Sequence, residues 1–348
     1  MNARTPITRR TALAAGAGAG LSALAIATGL SQVAAQTPDA SPAASPVSGE
    51  GWSFTDDRGV TVTLPQAPTR IAGHARVAGA LYDYGISIPI VLGNLTKTDG
   101  SPVPELGDFP TDDIVWLGNG FDEFDLEQVI AAQPEVFVTV RFPFASEESD
   151  LLWGIPNEIR DQVEAVVPVI GIDVSGSSIV SFMQRFEELA ISLGADPEAS
   201  GANEDKAAFE TASEDLRAAI AEKPDLTVTV ISSGESLYLL NPALTPDLQL
   251  YADLGVQFLY VEDDPLQFQQ ISWEQIGNYS PDLFLKDDRG AAATYEELED
   301  QPLWSALPAV QAGQLGYWRA GGRPTYRGFN PAITELIETV RNSRDDIV

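Results

Sequence analysis

Trp318, Arg319, Arg323, Tyr326 and Arg327 fall within ten positions and form the densest basic-aromatic cluster of the chain. A guanidinium presents a fixed charge and a planar fork of donors to oxygen-rich groups. Indole and phenol rings cover an organic surface. Together they suit a ligand with a polar rim and an apolar body; the plainer reading is that these arginines offset Asp and Glu. His74 is the only histidine, with Arg76 two positions later. It fits either a donor to a ligand or a satisfied structural residue near a helix start. Arg141 directly follows the run VFVTV, with Phe142 and Phe144 beside it; the alternative there is a surface ion pair. Ser233 and Tyr238 follow TVTVIS, and Lys286 and Arg289 follow LFL. Trp116 and Tyr279 are weaker binding candidates and fit core positions better.

Catalytic chemistry finds little to work with. The chain has no cysteine, which removes thiolate nucleophiles, thiolate metal sites and disulfides. It has no Gly-x-Ser-x-Gly elbow, no phosphate-cradling glycine loop and no paired histidines at helical spacing. Asp and Glu number 51 against 20 Lys and Arg, a net charge of −31. Such a field repels nucleic acid and anionic lipid, and an anionic ligand needs a local basic pocket. Carboxylate pairs are too frequent in this composition to single out an acid-base couple.

The elements that must position these residues alternate. A hairpin is expected over 52–64, turning at Asp56-Asp57-Arg58-Gly59. Strands follow at 70–73, 89–93, 136–140 and within 163–174, with helices at 77–84 and 125–133 between them. A long amphipathic helix reads over 177–193, ending at Gly194, and a second over 204–222. The alternation resumes with strands at 227–231, 257–261 and 283–286, helices at 248–254 and 273–279, and a closing helix at 331–341. Strands separated by helices predict parallel, doubly wound sheets. A chain of 348 residues is more than one core usually organises, so two lobes are expected: 52–176 and 197–348, joined by a linking helix over 177–196. The segment DLEQVIAAQPEVFV (125–138) aligns without gaps to SWEQIGNYSPDLFL (272–285), which suggests duplicated lobes.

Residues 1–35 read as an export signal. Arg4, Arg9 and Arg10 precede a weakly apolar, Gly- and Ala-rich run, and Val33-Ala34-Ala35 offers a cleavage site. Thr8-Arg9-Arg10 with Leu13 resembles a twin-arginine signal, although Ala12 stands where Phe is frequent. The competing reading is a membrane helix. Residues 36–51 are rich in Pro, Ser and Ala and read as a disordered tether. The expected location is the periplasm or cell-envelope exterior, and without cysteine the lipoprotein route is closed.

LPQAPTRIAG, LEQVIAAQPEVFV, AVVPVIGID, EQIGNYSPDLFL and PLWSALPAVQAGQLGYW, with Tyr326 beyond them, resemble in order and spacing the iron-siderophore, haem and cobalamin binding proteins of ABC importers. The resemblance spans roughly residues 52–342. It implies an α/β fold of two doubly wound, Rossmann-like lobes joined by a long rigid helix, the class III solute-binding architecture. It implies a binding protein, not an enzyme, with an iron-chelate ligand, a ferric siderophore foremost, and no resident cofactor or directly bound metal. The ligand-binding residues expected on this reading are His74, Arg76, Arg141, Phe142, Ser233, Tyr238, Lys286, Arg289, Trp318, Arg319, Arg323 and Tyr326. Haem, through His74 or a tyrosine, and cobalamin stay open; a zinc or manganese receptor is disfavoured by the single histidine. Glu127 and Glu274 occupy equivalent places in the two similar segments. In the family such acids dock on the two permease subunits; otherwise they are solvated helix-face residues. A monomer that meets a permease dimer, and no nucleic acid, is the expected partnership.

Overall fold

A computed structural model describes residues 51–348 except 98–99, 143–150, 175–177, 235, 263, 290–291 and 321. The expected export signal, nearly all of the tether, Phe144 and the first residue of the linking helix lie outside the described residues. No helix among the described residues is long and apolar enough to cross a membrane.

The chain opens with the expected hairpin, β1 (Trp52–Thr55) and β2 (Thr61–Leu64). It continues through β3 (Ile71–His74), α1 (Ala75–Asp83), β4 (Ile90–Leu92), β5 (Val115–Trp116), α2 (Leu126–Ala132) and β6 (Val136–Phe142). A two-residue β7 (Leu151–Leu152), α3 (Arg160–Val166) and β8 (Val169–Asp173) complete the first sheet. Its parallel strands run β5-β4-β3-β6-β8, with β7 clipped antiparallel to the end of β6. Both faces are covered, and β6 shows why. Val136, Val138 and Val140 point into a core with α1 and the hairpin, while Phe137 points the other way, into a core with Val129 of α2 and Val163 of α3. Successive residues of a strand face opposite sides, so an unbroken apolar run fits only a sheet buried on both faces.

Next come α4 (Ile179–Ser192) and α5 (Ala202–Ala221). The second sheet is built from β9 (Thr227–Ser233), β10 (Leu237–Leu240), α6 (Pro246–Asp253), β11 (Gln257–Phe258), β12 (Phe268–Ile271) and β13 (Leu283–Asp287). Short helices α7 (Tyr295–Glu299), α8 (Pro302–Ser305) and α9 (Pro308–Gln311) precede β14 (Leu315–Trp318) and the closing α10 (Tyr326–Asn342). The parallel strands β11, β9, β13 and β14 form one part of this sheet, and an antiparallel β10–β12 pair lies beyond β9. Leu283 and Leu285 of β13 face α5 and α10, and Phe284 faces Trp304 of α8. The closing helix starts at Tyr326, five residues ahead of the sequence reading. Thr325 caps it by accepting the N–H of Gly328 at 2.9 Å, and Pro331 lies inside it.

α4 is shorter than the sequence suggests but is bound to both cores. Phe182, Phe186, Leu189 and Ala190 pack with Ile71 and Val77, while Met183 packs with Leu216 and Val228 of the second sheet's core. Truncating one such buried Phe costs about 3–5 kcal/mol. The hairpin turn braces the same helix. Asp57 accepts from Arg185 Nε at 2.6 Å and from the N–H of Asp173 at 2.8 Å.

The two similar segments also share a structural role. Glu135 accepts the backbone N–H groups of Thr69 and Arg70, both at 2.8 Å, where the chain enters β3. Asp282 accepts the N–H of Thr227 at 3.0 Å, where the chain enters β9. Each acid ties the strand it precedes to its parallel neighbour. The helices before them differ: α2 is α-helical, whereas Trp273–Tyr279 winds as a 3-10 helix. Gly277 and Asn278, both poor helix formers, sit in the second.

Candidate ligand cleft

The carboxyl ends of parallel strands in a doubly wound sheet leave backbone groups and loops free to receive a ligand. One cavity of about 490 Å³ collects such ends from both sheets. The first sheet contributes Arg76, just beyond β3, Phe142 at the end of β6, Trp153 after β7 and Val174 after β8. Ile179 and Phe182 of α4 lie between the sheets. From the second come Asp247 at the start of α6, Phe268 at the start of β12, Arg289 beyond β13, and Trp318, Arg319 and Arg323 at and beyond β14.

The aromatic residues are mutually supported. Trp153 lies 5.1 Å from Phe142 and 5.0 Å, edge-on, from Phe121. Arg289 sits between Phe268 and Trp318, with its guanidinium carbon 5.4 Å from each ring centroid. Asp287 holds that guanidinium from below, accepting from Nε at 2.9 and 3.1 Å. Trp318 is fixed in turn by its indole N–H, which donates to Asp247 at 2.6 Å. Burial pushes the Asp247 carboxyl up while the Trp318 bond pulls it down, and burial wins.

The other cleft arginines are anchored too. Arg319 donates to Glu335 at 2.7 and 2.8 Å and to Asp288 at 3.0 Å, and stacks over Tyr317 at 4.8 Å. Arg323 donates to Asp83 of α1 at 2.8 Å, across the cleft base. Arg76 is the least satisfied. Its nearest carboxylate, Glu105, stands 3.6 Å away, and its Nε is buried with no hydrogen-bond partner among the described residues. Burial lowers the Arg76 pKa from the ordinary value of 12.5. A buried guanidinium hydrogen with no acceptor is costly, and of the four cleft arginines Arg76 is the one held least closely by a carboxylate.

Of the residues singled out in the sequence, Arg76, Phe142, Arg289, Trp318, Arg319 and Arg323 therefore line one cavity. The rest do not, each for a physical reason. His74 is buried as the N-cap of α1, where Nδ1 accepts the N–H of Arg76 at 3.2 Å, and its ring edge lies against Gly93. Burial first, then the Arg76 charge, lowers its pKa from 6.5 to about 3. Arg141 is paired with Asp173 at 2.9 Å and borders a different hollow, shared with Arg58 and Arg160. Ser233 is buried at the end of β9. Tyr238 stands edge-on to Phe268, 6.3 Å away, behind the cleft wall. Lys286 is buried between Tyr295 and Tyr317 and donates to the Asp287 carbonyl at 2.6 Å. Tyr326 is a core residue packed on Phe209, and Arg327 pairs with Asp205 at 2.8 Å.

Trp116, expected in the core, is 47% exposed, and its indole donates to the Gly93 carbonyl at 2.9 Å. Tyr279 packs on the second sheet's core, as expected. Trp153, Phe182, Asp247 and Phe268 line the cleft without having been singled out for binding. Phe182 was visible only as one apolar position on a helix face. Glu127 and Glu274 are both exposed and lie in the first turn of their helices.

The model of the family described as periplasmic binding protein matches residues 90–320. No curated protein matches the chain. Among solved structures, DesE, a ferric-siderophore receptor protein from Streptomyces coelicolor, is 34% identical with a TM-score of 0.78, over 84% of this chain and 99% of that one. The siderophore periplasmic binding protein from the fuscachelin gene cluster of Thermobifida fusca is 20% identical, with a TM-score of 0.57 over 79% of this chain and 96% of that one. FhuD2 from Staphylococcus aureus with bound ferrioxamine B is 16% identical, with a TM-score of 0.54 over 78% of this chain and 98% of that one. The latter two share the fold. With two sheets, α4 bound to both, a cleft at their strand ends and a family match over most of its folded length, the chain belongs to the periplasmic binding protein family.

Proposed function

We propose that this chain captures a ferric siderophore outside the cytoplasm and delivers it to the permease of an ABC importer. The observation that carries the reading is Arg76, a guanidinium whose nearest carboxylate stands 3.6 Å away, in a cleft walled by Phe142, Trp153, Phe268 and Trp318. A siderophore complex presents chelating oxygens at its metal centre and an organic shell around it, and the wall offers a partner to each. Kinship with a ferric-siderophore receptor at 34% identity supports the same class of ligand. Iron is the cargo here, held by the chelator and not by protein side chains.

Export by a twin-arginine signal, cleavage near residue 35 and action as a monomer complete the proposal. Folding before export would cost nothing in disulfides, since the chain has no cysteine. Glu127 and Glu274 are the proposed docking charges, because equivalent helix starts present both to solvent. Exposed charges of this kind steer and orient an encounter more than they tighten it.

The first test is quenching of tryptophan fluorescence in the mature protein by ferric siderophores, haemin and cobalamin. Tight quenching by a ferric siderophore is expected, and its absence across the panel would sink the reading. The second is uptake with Glu127→Lys and Glu274→Lys, each expected to leave ligand binding intact and to depress transport. Normal transport by both variants would remove the docking assignment.

A further inference from the structure

We infer that the cleft takes a ferric chelate with no net charge, of the tris-hydroxamate kind, and discriminates against anionic chelates such as tris-catecholates. This rests on the ferric-siderophore reading and adds which class of siderophore the walls fit.

The argument is the charge balance of the wall. Arg76, Arg289, Arg319 and Arg323 make the cleft look basic in the sequence, yet each has a carboxylate at hand. Asp287 grips Arg289, Glu335 and Asp288 hold Arg319, Asp83 holds Arg323, and Glu105 stands 3.6 Å from Arg76. Asp247 adds a further carboxylate to the wall, with Trp318 as its side-chain donor and no ion pair among the described residues. Four guanidiniums thus meet six carboxylates. The site offers hydrogen-bond donors without offering net positive charge.

Three singly charged hydroxamates cancel the charge of a ferric ion, whereas three doubly charged catecholates exceed it by three. A neutral complex needs donors such as the Arg76 guanidinium for its oxygens and apolar surface for its arms, which Phe142, Trp153 and Phe268 provide. A trianion would need uncompensated cations to offset its desolvation, and it would approach against a net charge of −31. Like-charge juxtaposition is an effective means of rejecting a wrong partner.

The test uses the mature protein and three probes, followed by tryptophan quenching: a neutral ferric tris-hydroxamate, a ferric tris-catecholate, and a ferric tris-hydroxamate bearing pendant carboxylates. The neutral complex should bind tightly and both anionic complexes at least about tenfold more weakly. Tris-catecholate binding as tight as that of the neutral complex would overturn the inference while leaving the siderophore reading intact. Tight binding of the carboxylated hydroxamate would also overturn it, since selection would then follow donor type and not charge. Quenching by none of the three would bring down the siderophore reading and this inference together.

Discussion

Arg323 donates its Nε to Asp83 at 2.8 Å, joining the segment after β14 to the end of α1 across 240 residues of sequence. Thr325 donates its hydroxyl to the same carboxylate oxygen. Both charged side chains are largely buried, at 13% and 8% exposure. One residue therefore lines the cleft and also ties its two sides together. Asp83→Asn would leave the Arg323 charge buried beside a neutral partner, and removing one member of a buried pair costs about 3 kcal/mol or more. Urea unfolding of that variant should show a loss of this order. A change within a few tenths of a kcal/mol would mean that the bridge contributes little to joining the two sides.

His74 gives stability a specific pH dependence. Its folded pKa is lowered from 6.5 to about 3, so the unfolded chain binds the proton first. Where the unfolded state holds more protons, stability rises with pH. The contribution of neutral His74 is therefore complete above pH 6.5 and is lost progressively as the pH falls toward 3. By pH 4 the loss is on the order of a few kcal/mol. His74→Asn retains a side-chain acceptor for the α1 cap and removes the titration. Its stability should fall less steeply than the parent's between pH 6.5 and 4. Parallel curves would show that His74 does not titrate on unfolding in this range. His74 is the only histidine, so no second imidazole confuses the comparison.

Much of this architecture could be read from local pattern. The apolar run of β6 and the helix signals around it specify a covered parallel sheet, and of the basic-aromatic cluster at 318–327 the neighbours Trp318, Arg319 and Arg323 line the cavity while Tyr326 and Arg327 do not. The β10–β12 pair was not legible. Leu237–Leu240 is uniformly apolar, Phe268–Ile271 carries two glutamines, and the intervening residues give no hairpin signal. That several of the residues singled out fall outside the cavity has a simple geometric origin. A residue near the end of a strand lies near the cleft, but alternation decides which face it takes. Lys286 shares the face of Phe284, turns to Tyr295 and does not line the cavity. Asp247, Trp153 and Phe268 come from three separate stretches and acquire meaning only when the fold brings them together. Nor did the sequence disclose that each cleft arginine has a carboxylate beside it.

Arg76 should dominate recognition among the cleft arginines, because the others are already held in place. Arg76→Ala is expected to weaken ferric-siderophore binding roughly 10- to 100-fold, the equivalent of about 1.5–3 kcal/mol for a hydrogen bond to a charged group. Arg76→Lys should recover only part of it, since an ammonium lacks the planar fork of donors. Titration by tryptophan quenching reads both variants. Undiminished affinity in Arg76→Ala would show that Arg76 does not mark the ligand's position.

Domain closure should be small. Hinge motion needs a segment that absorbs large backbone changes without disturbing packing. Here α4 is the link, and its side chains are shared between cores: Phe182 and Phe186 with the first sheet, Met183 with the second. The hairpin fixes the same helix through Asp57 and Arg185, and the Trp52 indole donates to the Ser192 carbonyl at 2.9 Å near its end. A large rotation of one sheet against the other would break the Arg323–Asp83 bridge and pull Met183 or Phe186 from a close-packed environment, at a cost of several kcal/mol. A ligand can supply that only through contacts made in the closed form alone. X-ray scattering profiles recorded with and without bound ferric siderophore should therefore superimpose. A marked contraction on binding would show that these contacts yield, and that the link bends in spite of them.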